Sequence, residues 1–234
     1  MRAALSVIVP VLNGETQLPG CAGALYEGVQ AGVIRELIVS DGGSQDNSRT
    51  LAEDLGARVI IGAPSRGGQI ARGVAAAAGE WLLILDPGTQ PGPGWTEKVS
   101  AQMARGRPGA FRLGFDRGGI GPRLVAGWAN RRSRLLRLPF ADQGLLVSAV
   151  HLARVGGYPD QPVMADIAVA RRLARAGLPM ELMGCVARRS FDRYAADGWV
   201  RNGARSLGLQ LRYAAGADPA LLARAGRDGR DRGR

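Results

Sequence analysis

The sequence predicts an α/β fold in which a mostly parallel central sheet is flanked by helices and followed by a helical C-terminal appendage. Three observations predict it. Short apolar runs alternate with segments of helical spacing over residues 5–98. The runs are nearly unbroken, which is how strands buried on both faces read. They also close on turn-forming residues, as at Asn13-Gly14 and Asp41-Gly42-Gly43-Ser44.

The elements follow in order. Residues 5–12 form a first strand and 18–31 a first helix. A second buried strand at 36–40 leads through the Asp41 turn to a helix at 48–56 that stops at glycine. A short strand at 58–61 and an Ala-rich helix at 69–79 precede the apolar run 81–85. Beyond Pro91 the pattern changes. Helices are expected at 95–105, 125–138, 151–156 and 164–176, with strands at 110–115, 144–148 and 180–186. Residues 199–214 form an amphipathic basic helix with Trp199, Ala204, Leu207 and Leu211 on one face. One domain over residues 1–222 accounts for this pattern, and the basic tail 223–234 reads as disordered.

Composition narrows the function classes. The net charge of +11 is lopsided, with 7 basic and 10 acidic residues in 1–98 against 24 basic and 10 acidic in 99–234. Such a field favours an anionic partner. Lys98 is the only lysine, so the basic residues are otherwise arginines, as in a GC-rich genome. The two cysteines, Cys21 and Cys185, fit no metal spacing and read as buried thiols in a reducing, cytoplasmic setting. The N-terminal apolar run carries Pro10 and reads as a strand rather than a signal peptide, and no run is long enough to span a bilayer. Nucleic acid is not an expected partner, because the arginines are not interleaved with aromatics.

The run Trp81-Leu82-Leu83-Ile84-Leu85 leads directly into Asp86-Pro87-Gly88-Thr89. Ligands of open α/β sheets bind at the carboxyl ends of strands, so Asp86 is a candidate for holding a metal or a metal-bound phosphate. A hard cation is usually held by more than one carboxylate, and this strand end supplies one. Asp41 is either a ligand for a base or ribose or a turn former. Asp166, at the start of a helix, suits both a cap and a general base. Asp142-Gln143 form a further polar pair. Neither a G-x-x-x-x-G-K loop nor a G-x-G-x-x-G after the first strand is present. Arg66-Gly67-Gly68-Gln69, before a helix, is the nearest phosphate-binding feature.

Taken in order, Ser6-Val7-Ile8-Val9-Pro10-Val11-Leu12-Asn13, Leu37-Ile38-Val39-Ser40-Asp41-Gly42-Gly43-Ser44-Gln45-Asp46 and the strand into Asp86 resemble family 2 glycosyltransferases of the GT-A fold. Leu138-Pro139-Phe140-Ala141-Asp142-Gln143-Gly144, Gly156-Gly157-Tyr158 and Pro162-Val163-Met164-Ala165-Asp166 are similar to the bacterial group associated with radical-SAM and selenodomain proteins. The likeness covers residues 5–222.

The resemblance implies an inverting transfer of a sugar from a nucleotide-diphosphate donor to an acceptor hydroxyl. Residues 1–98 would be the nucleotide-binding half and 99–222 the acceptor half. It assigns nucleotide-sugar contacts to Pro10, Asn13, Asp41, Arg66, Gln69 and Asp86, with Asp41 toward the base. Asp86 matches the first acid of the family's Asp-x-Asp, which holds a divalent cation, Mg²⁺ or Mn²⁺. Asp166 matches the acid that takes the acceptor's proton. Asp142, Gln143, Arg193 and Arg201 are expected at the acceptor or diphosphate. Gly88, Ala165 and Gly14 stand where the family carries acids, and Ala71 where it carries Asn. Two further readings follow. One is a nucleotide-binding protein of the same fold without catalysis. The other is a transferase at the inner face of the membrane, with helix 199–214 on anionic lipid near a lipid-linked acceptor.

Overall fold

The computed structural model describes residues 3–139, 141–192 and 198–223. Its first half alternates β1 (Leu5–Val11), α1 (Leu18–Gln30), β2 (Ile34–Asp41), α2 (Ser48–Asp54), β3 (Arg58–Ile61), α3 (Arg66–Ala76) and β4 (Trp81–Ile84). The second half comprises β5 (Gln90–Pro91), α4 (Trp95–Ala104), β6 (Gly109–Phe115), α5 (Ile120–Leu136), β7 (Leu145–Ser148), α6 (Ala149–Arg154), α7 (Ala165–Arg175), β8 (Glu181–Arg189) and α8 (Trp199–Ala214). The described strands form one sheet in the order β3-β2-β1-β4-β7-β6-β8-β5.

Strands β3, β2, β1 and β4 are parallel, β7 runs antiparallel to both β4 and β6, and β8 runs parallel to β6. This parity positions the site. Reversing direction at β7 and again at β6 makes β8 point the same way as β4. The carboxyl ends of β1, β2, β4 and β8 and the amino end of β7 therefore share one edge. Site residues from distant parts of the chain converge there.

The central strand β1 is buried throughout. Leu5, Val7, Val9 and Val11 pack into one layer with Leu18, Cys21 and Trp95, while Ile8 packs into the other with Ile70, Leu152 and Val169. Pro10 is tolerated in this strand because the β4 pairing ends at Ile8↔Ile84, leaving only β2 alongside it. Cys21 and Cys185 are buried free thiols, and burial pushes Cys21 up to about 12.

Several boundaries differ from expectation for identifiable reasons. Ser65 caps α3, its hydroxyl accepting from the Gly68 N–H at 3.4 Å, so the helix begins at Arg66 rather than Gln69. Helix α5 starts at Ile120 because Pro122 lies in its first turn, where a missing N–H is harmless. Strand β8 extends past Val186 to Arg189, paired with β6 through Phe115↔Arg189. The short β5 pairs with β8.

Candidate active site

Three carboxylates and two guanidiniums meet at the shared sheet edge. Asp86 lies just beyond β4, Arg189 is the last residue of β8, and Asp142 precedes β7 in a 3-10 turn. Arg66 is the first residue of α3 and Asp166 the second of α7. A helix N-terminus favours a carboxylate such as Asp166 and disfavours a cation such as Arg66. Two acids offset that disadvantage.

Arg66 joins both acids. Its Nη2 and Nε donate to Asp86 Oδ1 at 2.8 and 3.1 Å, and its Nη1 donates to Asp166 Oδ2 at 3.1 Å. Arg189 Nη1 donates to Asp86 Oδ2 at 3.1 Å and also to Asp142 Oδ1. Tyr158 donates its hydroxyl to Asp166 Oδ1 at 2.5 Å, and Arg66 Nη1 lies 3.3 Å from the same phenol oxygen.

The electrostatics follow from these contacts. Burial pushes the Asp86 carboxyl up, but Arg66 and Arg189 outweigh it and hold the group below the usual carboxylate range. Burial likewise opposes the charge on Arg66, yet Asp166 and Asp86 keep it firmly protonated. Tyr158 is pushed well above its ordinary value, first by burial and then by the Asp166 charge, so its phenol stays a donor.

The loops beside the edge are held by their own polar groups. Asn13, at φ 52, accepts from the Gln45 N–H at 2.9 Å and donates its backbone N–H to Ser44 Oγ at 2.9 Å. Asn tolerates this left-handed conformation better than most residues. Met164 adopts φ 63 at the start of α7, where the chain turns to present Asp166. On the opposite side, Ser65 donates to Asp160, tying the cap of α3 to the segment that carries Tyr158.

The profile of glycosyl transferase family 2 matches residues 6–142, more than half the chain. The chain belongs to glycosyltransferase family 2. A protein named as an uncharacterized glycosyltransferase from Mycobacterium tuberculosis (strain ATCC 25618 / H37Rv) is 26% identical over 212 residues, covering 84% of this chain and 81% of that one. Validoxylamine A glucosyltransferase from Streptomyces hygroscopicus subsp. limoneus is 32% identical over 124 residues, covering 47% of this chain and 26% of that one. Among solved structures, glucosyl-3-phosphoglycerate synthase from Mycobacterium tuberculosis, in complex with Mn²⁺, UDP and phosphoglyceric acid, superposes with a TM-score of 0.58. It is 22% identical, with 92% of this chain and 79% of that one covered, and so supports the GT-A-like fold.

The transferase's own donor set does not fit a divalent cation at Asp86. Both oxygens of that carboxylate accept from guanidiniums, and Asp142 and Asp166 are paired to the same two arginines. Position 88, two residues on, is a glycine without a side-chain ligand. Among the described residues no group of three or more His, Cys, Asp or Glu side chains is placed to hold a metal ion. A cation there would face two arginines and find few protein oxygens of the several it requires.

The structure sorts the other expected residues. Asp41 is fully buried, and its carboxylate accepts from the Gly43 and Ser44 N–H groups, the Ser44 hydroxyl and Arg49 Nε at 2.9 Å. These bonds outweigh the burial that pushes its carboxyl up, and they hold the Asp41–Ser44 turn in place. Gln69 is also buried, its amide donating to the Val11 and Ser40 carbonyls at 2.7 and 2.9 Å, so it ties β1 to β2. Gln143 donates to the Phe111 carbonyl at 3.1 Å and accepts from Ser133 at 2.6 Å, bracing α5 against β6. The Gln69 and Gln143 amides are thus buried in bonds between elements. Pro10 contributes its ring to β1 and is buried. Arg193 lies outside the described residues, as does the side chain of Arg201. Sequence reasoning assigned no role to Arg189 or Tyr158. The double arginine at the end of an apolar strand, at the edge where ligands bind, was the signal for Arg189.

Proposed function

We propose that this transferase moves a sugar from a nucleotide-diphosphate donor to an acceptor hydroxyl with inversion, with arginines in the role that a cation takes elsewhere. One observation carries the reading: a single guanidinium, Arg66, links the acid after β4 to the acid at the start of α7. The nucleotide lies along the carboxyl ends of β1 and β2, against the loops pinned by Asn13 and Asp41. Its diphosphate reaches Arg66 and Arg189, which turn from Asp86 to the phosphate oxygens. Planar guanidiniums suit such oxygens and carry charge at every working pH.

Asp166 is the general base. It accepts the proton from the acceptor hydroxyl as that oxygen forms its bond to the anomeric carbon. The bond from that carbon to the diphosphate oxygen breaks, and its electron pair leaves on the diphosphate. A single in-line displacement inverts the centre. Arg66 neutralises the leaving group in the transition state. Its movement toward the donor also releases Asp166 Oδ2, while Tyr158 keeps Oδ1 in place. Donor binding thus uncovers the base before the acceptor arrives. Asp142, held through Arg189, sits on the acceptor side.

The test is donor turnover by the purified chain with a panel of UDP-, GDP- and dTDP-sugars, in EDTA and in Mn²⁺. The reading requires turnover or hydrolysis of at least one donor that persists in EDTA and disappears in Asp166→Asn. Activity seen only with Mn²⁺ would overturn the arginine assignment but keep the transferase. Activity retained by Asp166→Asn would overturn the base.

A further inference from the structure

The outer face of α5 has the opposite chemistry from an ordinary surface helix. Its inner face carries Pro122, Arg132 and Ser133 against the domain. Its outer face presents Ile120 (79% exposed), Leu124 (55%), Trp128 (56%) and Leu135 (69%) at spacings that place them along one stripe. Arg123, Arg131 and Arg134 are exposed beside that stripe. Six arginines and no acid occur between Asp116 and Asp142. The stripe continues into a groove of about 340 Å³ between α5 and α8, where Leu207 and Leu211 face Trp128 and Leu135. Leu211 is 62% exposed there. No helix among the described residues is long and apolar enough to cross a membrane.

We propose that this face docks the protein on an anionic lipid bilayer, with α5 lying in the plane of the interface. Three physical features select that partner. Apolar residues that include a Trp, flanked by arginines, match the amphipathic helices that lie at headgroup level. The absence of acids over this segment favours anionic headgroups, the exposed Arg123, Arg131 and Arg134 each adding to the attraction. A second copy of the chain fits worse, because a symmetric contact would place the same acid-free arginine face against itself. The helix spans about 25 Å, enough for several headgroups. Its C-terminal end leads into the turn that carries Asp142, so docking there orients the acceptor side of the site toward the membrane. The proposal does not depend on the transfer chemistry, and its test reads binding alone.

The experiment is co-sedimentation of the full chain with phosphatidylcholine vesicles, with and without phosphatidylglycerol, combined with Trp emission. Binding is expected to anionic vesicles only, to weaken with salt, and to shift Trp emission to the blue. The shift should be absent in Trp128→Phe. The double variant Leu124→Ser/Leu135→Ser, altered only at exposed positions, should bind at least about tenfold more weakly, and Arg131→Glu/Arg134→Glu likewise. Circular dichroism of each variant separates lost docking from lost folding. Equal binding to neutral vesicles, no binding to either, or binding without a Trp128 shift would each overturn the proposal. So would a dimer in sedimentation velocity that Leu124→Ser/Leu135→Ser dissociates, or displacement of the vesicles by RNA at matched charge.

Discussion

Arg66 Nη1 lies 3.1 Å from Asp166 Oδ2, across a sequence separation of 100 residues. The proposed base is therefore covered by a guanidinium whose other nitrogens hold Asp86. In the proposed mechanism Asp166 Oδ2 is released to the acceptor only when the donor diphosphate draws Arg66 away. The consequences are measurable.

Removing the link should affect both substrates. Arg66→Gln leaves Asp86 and Asp166 facing each other without the cation between them, and removes a donor for the leaving group. Donor turnover is expected to fall about 10²–10³-fold in kcat/KM. Initial-rate kinetics of the native chain should show ordered binding, donor first, and the variant should lose that order.

The base is tested separately. Asp166→Asn keeps the hydrogen-bonding shape but cannot take up the acceptor's proton. The expected loss in kcat is about 10²–10⁴-fold, with donor affinity within a few fold of native as read by calorimetry. An equal loss in donor affinity would mean that Asp166 serves positioning alone.

Acid should weaken the fold through Asp86. Its folded-state carboxyl is held below the ordinary range by Arg66 and Arg189, despite burial. Its contribution is therefore present above the unfolded-state value and disappears as pH falls through the depressed folded value. Asp86→Asn should be less stable than native at neutral pH, and the difference should shrink in acid. Tyr158 behaves oppositely. Its folded value is raised, so its contribution holds below the ordinary phenol range and is lost as pH climbs through the raised value. Urea unfolding across both pH limits, on native and Asp86→Asn protein, reads both trends.

A second acid is the variant that brings a cation back. A Cβ at Gly88 would lie 3.6 Å from Gln17 Oε1 and 3.7 Å from Arg189 Nη2, ordinary contact distances. Gly88→Asp should fold, engage Arg189 and free part of Asp86. Mn²⁺ binding by calorimetry is expected to be weak in native protein and clearly stronger in Gly88→Asp. Equal Mn²⁺ affinity in the two proteins would count against the arginine reading.

The mounting of Arg66 is tested by Gly67→Ala. The added Cβ would come within 2.6 Å of the Pro159 carbonyl oxygen and 2.9 Å of the Asp160 Cα, both backbone atoms. The start of α3 would have to shift. A loss of about 1–3 kcal/mol in stability is expected from such overpacking, with donor turnover reduced further than stability alone explains.

Much of the architecture was legible because local rules and tertiary packing agreed. Unbroken apolar runs marked β1, β2 and β4 as strands buried on both faces, and the polar turns after them marked their ligand-bearing ends. Asp86 at the end of an apolar strand and Asp166 at a helix start were legible as candidates, and the structure brings both to Arg66. What Gln69 and Asp41 bond to was not legible, for a common reason. A polar side chain at a ligand-bearing edge looks the same in sequence whether it meets substrate or ties two loops together, and only its partners distinguish the cases.

The sequence by itself determined the succession of strands and helices along the chain, the family, and the candidate acids at strand and helix ends, because periodicity and motif spacing are properties of neighbouring residues. Only the tertiary structure decided what those acids touch. The reversal of direction at β7 and β6 brings the end of β8 back to the edge where β4 ends, and delivers Arg189 to Asp86. The cap at Ser65 starts α3 early enough to aim Arg66 between Asp86 and Asp166. Charges that lie 20 and 103 residues apart from Asp86 in sequence neutralise it in space. No local pattern encodes that pairing, since it depends on sheet parity and on where a helix begins.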